Sequence, residues 1–232
     1  MGCGGENPLK KPYICSPEKM TEQQLTILRK YFPAPAVQAV ADWIPRHGVF
    51  LSVTRRRTTK HGDFTLAPVR GMNRITVNGS LNPYAFLLTF VHELAHLVVL
   101  KKHGARVQPH GKQWKDEFRS LMLMLDLRTI YPHDILVPLA DYLKDPKASS
   151  DRHTALALAL KKYDAPGEGD GESASDPMIC ELAPGVRFLF REKREFVLGE
   201  KRRRLYLCTD VSSGRQYLFQ PHVRVKIKND DE

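Results

Sequence analysis

The spacing of apolar residues changes repeatedly along the first 145 residues, and these changes predict a mixture of helices and strands. Apolar residues recur every three or four positions in four segments, which predict helices: 20–31, 35–46, 110–125 and 134–145. They alternate with polar residues or form short β-rich runs in three segments, which predict strands: 49–56, 64–69 and 74–80. The polar run between the first two strands predicts a hairpin-like connection.

One further helix is predicted to be apolar almost all round. It begins after Asn82, with Pro83 at its first position, and ends before Gly104. A helix that is apolar on every face belongs in a core, so we expect this helix to be central and buried. Its uninterrupted apolar runs are far shorter than the roughly 20 residues that a membrane span needs, so we expect no membrane association.

The composition changes after residue 145. Residues 146–177 contain a short Ala/Leu helix candidate at 154–162 and then an acidic Gly/Ser/Pro run, which predicts a flexible linker. Residues 178–232 contain short β-like runs separated by glycine and charged residues, which predict a small antiparallel sheet or barrel. We therefore predict a main domain over 1–145, an acidic linker over 146–177 and a β domain over 178–232.

The net charge of +10 is carried by the two ends of the chain. Lys and Arg outnumber Asp and Glu by 20 to 12 over 1–145 and by 12 to 8 over 178–232, but not over 146–177, where they number 4 against 6. A basic surface attracts polyanions, so DNA is an expected partner. Two arginine runs are candidate DNA contacts, although such runs are usually solvated turns or strand ends: Arg55, Arg56 and Arg57, and Arg202, Arg203 and Arg204.

The four cysteines form no CxxC pair. They are Cys3, Cys15, Cys180 and Cys208. Their spacing favours free thiols in a reducing compartment over disulfides or a four-cysteine zinc site. The start of the chain has no apolar segment that could serve as a signal peptide. We therefore expect a cytoplasmic protein, and we expect it to be a monomer.

The sequence HELAH, residues 92–96, lies within the predicted central helix. His92 and His96 are four residues apart, so on a helix they stand on one face and can grip one zinc ion. Glu93 lies beside the first ligand, where its carboxylate can take a proton from a water on the metal. Two surface histidines on an amphipathic helix are the alternative, but burying both with a glutamate in an apolar helix would be costly without a metal.

Three residues are candidates for a third ligand. His103 lies on the same angular stripe but about 10 Å beyond His96 along the helix axis, so it suits a solvated helix end better. His110 follows a loop at the start of the next helix, where the chain can fold back, and it is the candidate that we prefer. Glu117 is the acidic alternative. Lys102 stands where a metzincin would have its last histidine, so that pattern is absent.

These residues resemble the SprT family of zinc metallopeptidases, relatives of the Spartan proteases. The resemblance covers roughly residues 20–130 and is carried by HELAH, a loop, and then His110, Gly111 and Trp114 at the start of the next helix. It implies a minimal zincin-like α+β domain, with His92, His96 and His110 as zinc ligands and Glu93 as catalytic base. It also implies a protein or peptide substrate, and the relation to Spartan suggests protein crosslinked to DNA.

The C-terminal region departs from the family pattern. Many SprT-like proteins carry a zinc ribbon with two CxxC pairs there, but this chain keeps only Cys180 and Cys208. We therefore expect one zinc ion per chain. We expect the small sheet to be held by apolar packing, with these side chains in its core rather than stacked on bases: Phe188, Phe190, Leu205, Tyr206, Leu207 and Tyr217.

Two functions from different classes fit these observations. The first is a zinc endopeptidase, in which strand 74–80 forms an edge beside the active helix and pairs with extended or unfolded protein segments. Tyr84, His103 and Arg106 are candidates for stabilising the oxyanion, and the sequence favours none of them. The second is a zinc-stabilised nucleic-acid-binding or adaptor module with little turnover. HExxH also leaves room for hydrolysis of a non-peptide amide.

Overall fold

The computed structural model describes residues 13–14, 20–55, 60–69, 72–164, 176–191 and 193–228. These residues form two compact units, one up to Pro132 and one from His133, called here the N-terminal unit and the C-terminal unit. The N-terminal unit mixes helices with a four-stranded sheet, and the C-terminal unit contains a separate five-stranded sheet. The predicted α+β fold with a separate C-terminal β sheet is thus confirmed.

The elements of the N-terminal unit follow the predicted segments closely. Its strands are β1 (Tyr13–Ile14), β2 (Val49–Thr54), β3 (Gly62–Val69) and β4 (Met72–Asn78). Its helices are α1 (Glu22–Tyr31), α2 (Val37–His47), α3 (Pro83–His103), α4 (Lys112–Leu123) and α5 (Leu127–Ile130), with a 3-10 turn at Ala34–Ala36.

Local signals explain where three of these helices begin and end. Thr21 and Gln24 form a reciprocal capping box at the start of α1. The Asn82 side chain accepts a hydrogen bond from the Ala85 N–H, which caps α3. Gly48 ends α2 with a left-handed backbone at φ 59°, a conformation that glycine adopts without steric cost.

The strand order in the N-terminal sheet is β1-β2-β4-β3. Strands β2 and β4 run parallel, and β3 pairs antiparallel with β4. The predicted hairpin between β2 and β3 is therefore wrong, because β4 lies between them. The prediction that 74–80 forms an edge is wrong for the same reason, since β4 has partners on both sides and, among the described residues, β3 lies at one end of the sheet. Local sequence did not reveal this order. Strand β4, which contains the fully buried Ile75 and Val77, comes after β3 in the chain but lies between β2 and β3 in the sheet.

Helix α3 is the core of the N-terminal unit. Eleven of its 21 residues are buried, and Phe32 packs edge-on against both Phe86 and Phe90. Its length and overall apolar composition would also suit a membrane span. The sequence does not predict this from its uninterrupted apolar runs, because those runs are short. Most of its surface is instead covered by the protein itself, as in the central helix of a globular domain.

The C-terminal unit begins with two helices and continues into the sheet. The helices are α6 (His133–Lys144) and α7 (Thr154–Lys161), with 3-10 turns at Ser150–Arg152 and Ile179–Glu181. The strands are β5 (Arg187–Phe190), β6 (Arg194–Arg202), β7 (Leu205–Asp210), β8 (Gln216–Phe219) and β9 (Lys226–Ile227).

The helix predicted at 154–162 is confirmed as α7, so this part of the predicted linker 146–177 is folded. Helix α7 buries Leu156 and Leu160, and the Tyr163 hydroxyl donates a hydrogen bond to Asp134 on α6. The acidic Gly/Ser run falls on residues 165–175, which lie outside the described residues. The linker therefore stays a prediction for that stretch alone.

The C-terminal sheet is antiparallel, in the order β8-β7-β6-β5-β9, and its core is aromatic. Phe188 is fully buried, and Phe190, Tyr206 and Tyr217 pack against the same core, as predicted. Leu205 and Leu207 were also predicted to lie in the core, but they are half-buried and do not belong to this cluster. The core also contains Phe196, Leu198, Cys208, Phe219, Ile179 and Val225. Side-chain packing thus accounts for most of the aromatic residues in this region.

Candidate metal centre

Two neighbouring elements bring three histidines together. His92 and His96 stand one turn apart on α3, and His110 lies at the end of the loop that leads into α4. His110 has φ 58°, a left-handed conformation that is rare for residues other than glycine. Such backbone strain persists where the surroundings impose it, and it is frequent at functional sites. Here the Gly111 N–H bonds to the Gln108 carbonyl, which closes the turn around His110.

The Nε2 atoms of the three histidines converge on one point. They lie 3.0 Å (His92 to His110), 3.2 Å (His92 to His96) and 3.0 Å (His96 to His110) apart. Two nitrogens bound to one tetrahedral zinc ion at about 2.0–2.1 Å lie roughly 3.3–3.4 Å apart, so the triad needs little adjustment to hold a metal. Among the described residues, this is the group of histidine, cysteine and acidic side chains whose geometry can hold a metal ion.

Protonation does not compete with metal binding at neutral pH. Burial, together with the neighbouring imidazoles of His96 and His110, lowers the pKa of His92 to about 2. Burial and His110 lower the pKa of His96 to about 4, and burial also lowers the pKa of His110. The three imidazoles are therefore neutral, which is the form that binds metals.

Trp114 on α4 forms the floor of the site. Its ring centroid lies 4.5 Å from that of His92, 5.5 Å from that of His96 and 4.8 Å from that of His110. Its indole N–H donates a 3.4 Å hydrogen bond to the His92 carbonyl, and Phe118 stacks behind it at 5.0 Å. One buried ring thus supports all three imidazoles and ties α4 to α3.

Glu93 lies in a different environment, against the edge strand β3. It is 8% exposed, and the backbone N–H of Phe64 donates a hydrogen bond to its carboxylate. Burial, with the nearby charge of Asp63, raises the pKa of Glu93 to about 8, against the opposing effects of Lys60 and of the Phe64 N–H. Shifted pKa values of this kind are frequent at functional sites, and a metal cation bound beside Glu93 would lower its pKa and favour the ionised form that accepts a proton.

Sequence reasoning missed the contribution of β3 to this environment. Gly62, the first residue of β3, lies so close to Glu93 that a Cβ there would sit 2.9 Å from Glu93 Oε1. Residues 60–63, KHGD, belong to the polar run that predicts a connection, although a glycine at a strand signals close approach of another group. His61 in the same stretch also contributes to lowering the pKa of His92.

The structure separates the other candidate ligands from the triad. His103 is exposed at the end of α3. Glu117 instead forms an ion pair with Lys102, with 2.7 Å between Oε1 and Nζ. Of the candidates for stabilising the oxyanion, Tyr84 packs against Tyr131, and Arg106 is exposed.

The arginine runs lie elsewhere in the chain. Arg202, Arg203 and Arg204 are exposed at the turn between β6 and β7, where Arg203 has φ 55°. Arg55 is exposed at the end of β2, and Arg56 and Arg57 lie outside the described residues.

Comparison with known proteins finds similarity in one segment. Over 54 residues, 22% of this chain, the sequence is 43% identical to Protein SprT from Vibrio parahaemolyticus serotype O3:K6 (strain RIMD 2210633). The chain spans about a third (32%) of the length of that relative. No family model matches the chain, and no solved structure matches it. The chain is therefore similar to SprT over this segment, and it carries a histidine triad that can hold a metal.

Proposed function

We propose that this protein is a zinc-dependent endopeptidase that uses Glu93 as its general base. The observation that carries the proposal is the convergence of three neutral imidazoles within 3.2 Å of one another, directly beside a buried glutamate with a raised pKa. Three imidazoles suit zinc, and three protein ligands leave a fourth position for water and substrate. Similarity of one segment to SprT supports the same assignment.

Zinc binding, proton transfer and support of the ligands would be carried out by different residues. His92, His96 and His110 would hold zinc, which when bound polarises a carbonyl and lowers the pKa of water to about 7. Glu93 would accept the proton of the attacking water and pass it to the leaving amine. Trp114 would keep the three imidazoles in place by packing under their rings.

The substrate would be an extended protein segment that adds to β3. This strand has β4 on one side and no strand on the other among the described residues, and Glu93 lies against it. In the β3–β4 ladder the Asn78 N–H bonds to the His61 carbonyl, so by alternation the backbone groups of Gly62 and Phe64 point away from β4. The Phe64 N–H is used by Glu93, which leaves the other outward groups for a docked segment. An unfolded or flexible segment can pair with such an edge, whereas a folded protein has its backbone groups already paired.

Association with DNA is the finer part of the proposal. Arg202, Arg203 and Arg204 form an exposed basic turn, a feature that attracts phosphates without reading sequence. An exposed guanidinium group can turn toward a phosphate without first leaving a buried environment. The natural substrates would then include proteins bound or crosslinked to DNA.

Cleavage of an unfolded protein tests the peptidase directly. Zinc-loaded protein is incubated with casein, with and without single-stranded DNA, and cleavage in H₂¹⁸O is followed by mass spectrometry. We expect new peptide carboxyl groups that contain ¹⁸O, loss of cleavage on chelation and its return with zinc. Intact casein in every arm, with one zinc ion bound per chain, would contradict the peptidase. It would favour the alternative, a zinc-stabilised nucleic-acid-binding or adaptor module.

A further inference from the structure

Gly62 is a glycine that the backbone conformation does not require. Its φ lies outside the positive range that disfavours other residues, so a side chain there would cause no backbone strain. The restriction comes from the neighbouring helix α3. A Cβ at Gly62 would lie 2.6 Å from Thr89 Cγ2, 2.9 Å from Glu93 Oε1 and 3.0 Å from Glu93 Cγ. Distances below 3.0 Å require at least one of these groups to move.

The next outward-pointing residue of β3 contacts the same carboxylate. The N–H of Phe64 points away from β4, because Phe64 and Ile75 form a pair without mutual backbone hydrogen bonds. This N–H donates to Glu93. The edge strand thus contacts Glu93 at two points, by close approach at Gly62 and by a hydrogen bond at Phe64.

We infer that Gly62 and the Phe64 N–H are positioning groups that fix the direction of the Glu93 carboxylate. Gly62 leaves the space that Glu93 occupies, and the Phe64 N–H holds the carboxylate in that space. A general base acts only within hydrogen-bond reach of the proton that it removes, so its direction determines its efficiency. The catalytic consequence rests on the proposed function, whereas the contacts themselves do not.

The edge strand then has two roles. Its backbone would pair with the substrate, and the same strand sets the direction of the base that activates the attacking water. One outward N–H is already taken by Glu93, so a docked segment would pair with the remaining outward groups of β3. This arrangement predicts that small changes at Gly62 alter turnover more than substrate binding.

The test replaces Gly62 with alanine and follows the Phe64 amide by NMR. Glu93→Ala defines the signal without the hydrogen bond: we expect the Phe64 amide proton to shift upfield and to exchange faster with solvent. Gly62→Ala should shift it in the same direction and leave zinc affinity unchanged. If the protein cleaves casein, kcat should fall about 10- to 100-fold with little change in KM, as expected for a base misplaced by about 1 Å. Leu218→Ala, at an exposed strand position in the C-terminal unit, is the control and should change neither.

A double variant, Gly62→Ala with Thr89→Ser, distinguishes the steric effect of Glu93 from that of Thr89. Thr89→Ser removes Cγ2, the atom closest to the added Cβ, so the double variant keeps only the conflict with Glu93. The inference predicts that it folds like the wild type but retains the shifted Phe64 amide. A return of this amide to its wild-type position would show that Thr89 packing, not Glu93, requires the glycine.

Two further results would overturn the inference. One is a Phe64 amide whose chemical shift and exchange rate are the same in Glu93→Ala as in the wild type. This comparison does not depend on whether any Gly62 variant folds. The other is a folded Gly62→Ala protein with wild-type amide position and turnover. A wild-type protein that cleaves nothing would contradict the proposed function, while the amide measurements would still decide the positioning role.

Discussion

Two buried carboxylates, one in each unit, have opposite chemistry. Asp210 in the C-terminal unit is 1% exposed and accepts hydrogen bonds from Ser212, Ser213 and Arg194, which lower its pKa. Glu93 in the N-terminal unit is 8% exposed, accepts one backbone hydrogen bond and has its pKa raised to about 8. Desolvation is the largest cause of the raised pKa of Glu93, whereas hydrogen bonds from Ser212 and Arg194 are the largest causes of the lowered pKa of Asp210.

The difference separates a structural carboxylate from one that is suited to proton transfer. Asp210 joins the start of β6 to the turn after β7, and its ionised form is stabilised by Arg194 and by hydrogen bonds from Ser212 and Ser213. Glu93 accepts one backbone hydrogen bond and lies beside three imidazoles. Three protein ligands would leave the fourth coordination position of a bound zinc ion free. A buried carboxylate with a shifted pKa beside a potential metal site is a candidate for proton transfer.

Replacing His110 should have the largest effect on the N-terminal unit. His110→Asn keeps a residue that tolerates the left-handed backbone but removes one of three ligands. Zinc affinity should fall by more than the roughly 100-fold that removal of an outer partner costs. Competition with a chelator measures it, and His103→Asn, at the exposed end of α3, should change nothing. Equal decreases in both variants would contradict the assignment of His110.

Trp114 should have the next largest effect. Trp114→Leu removes the ring under the three imidazoles and the bond to the His92 carbonyl, so zinc affinity should fall about 10- to 100-fold. Trp114→Phe retains an aromatic floor and should weaken binding less. The same chelator competition measures both variants, and thermal unfolding of the zinc-free proteins separates a weaker site from a less stable fold. Wild-type affinity in Trp114→Leu would exclude the supporting role.

Replacing Asp210 should lower the stability of the protein and leave its activity unchanged. Asp210→Asn should lower the unfolding temperature at pH 7, by on the order of 5 °C, and leave zinc binding unchanged. The pKa of Asp210 is below its ordinary 3.8 in the folded protein, so its stabilisation is present above that pH and is lost as the pH falls below it.

Calorimetry between pH 7 and pH 2 tests the sign of this dependence. The wild type should lose stability below about pH 4, and Asp210→Asn should lose less over the same range. Parallel curves for the two proteins would show that Asp210 does not carry the dependence.

The basic turn should have the smallest effect. Replacing Arg202, Arg203 and Arg204 with glutamine should weaken binding to single-stranded DNA. It should also reduce the salt dependence, by roughly 0.7 in the logarithmic slope for each phosphate that the protein no longer neutralises. Fluorescence anisotropy at several salt concentrations measures both. Arg187→Gln is the control, because that side chain already faces Glu195. An unchanged slope would remove this turn from the DNA interface.

The sequence predicted most of the helices and the histidines of the site, because both depend on local spacing. Helix α3 follows from its cap at Asn82 and its apolar pattern, and the four-residue spacing of His92 and His96 needs only that helix. Strand order was not predictable in this way. The pairing of β4 with both β2 and β3 depends on tertiary contacts rather than on local sequence. It places β3 at the end of the sheet that lies beside Glu93.

His110 illustrates the intermediate case. Its place after a loop made it the preferred third ligand, but its left-handed backbone and its position over Trp114 depend on how α4 packs against α3. Gly62 was missed although a signal existed, since a glycine at the start of a strand indicates a close neighbour. The neighbour could be identified only after α3 and β3 were placed together.

The most direct test of the central claim compares two glutamates from the same stretch of sequence. Glu93→Gln and Glu117→Gln are purified with zinc, and zinc content and casein cleavage are measured on the same samples. We predict that Glu93→Gln keeps its zinc and that its cleavage rate falls at least about 100-fold. Glu117→Gln, in which only an ion pair with Lys102 is removed, should retain both. Wild-type cleavage by Glu93→Gln with its zinc in place would contradict the claim that Glu93 is the catalytic base.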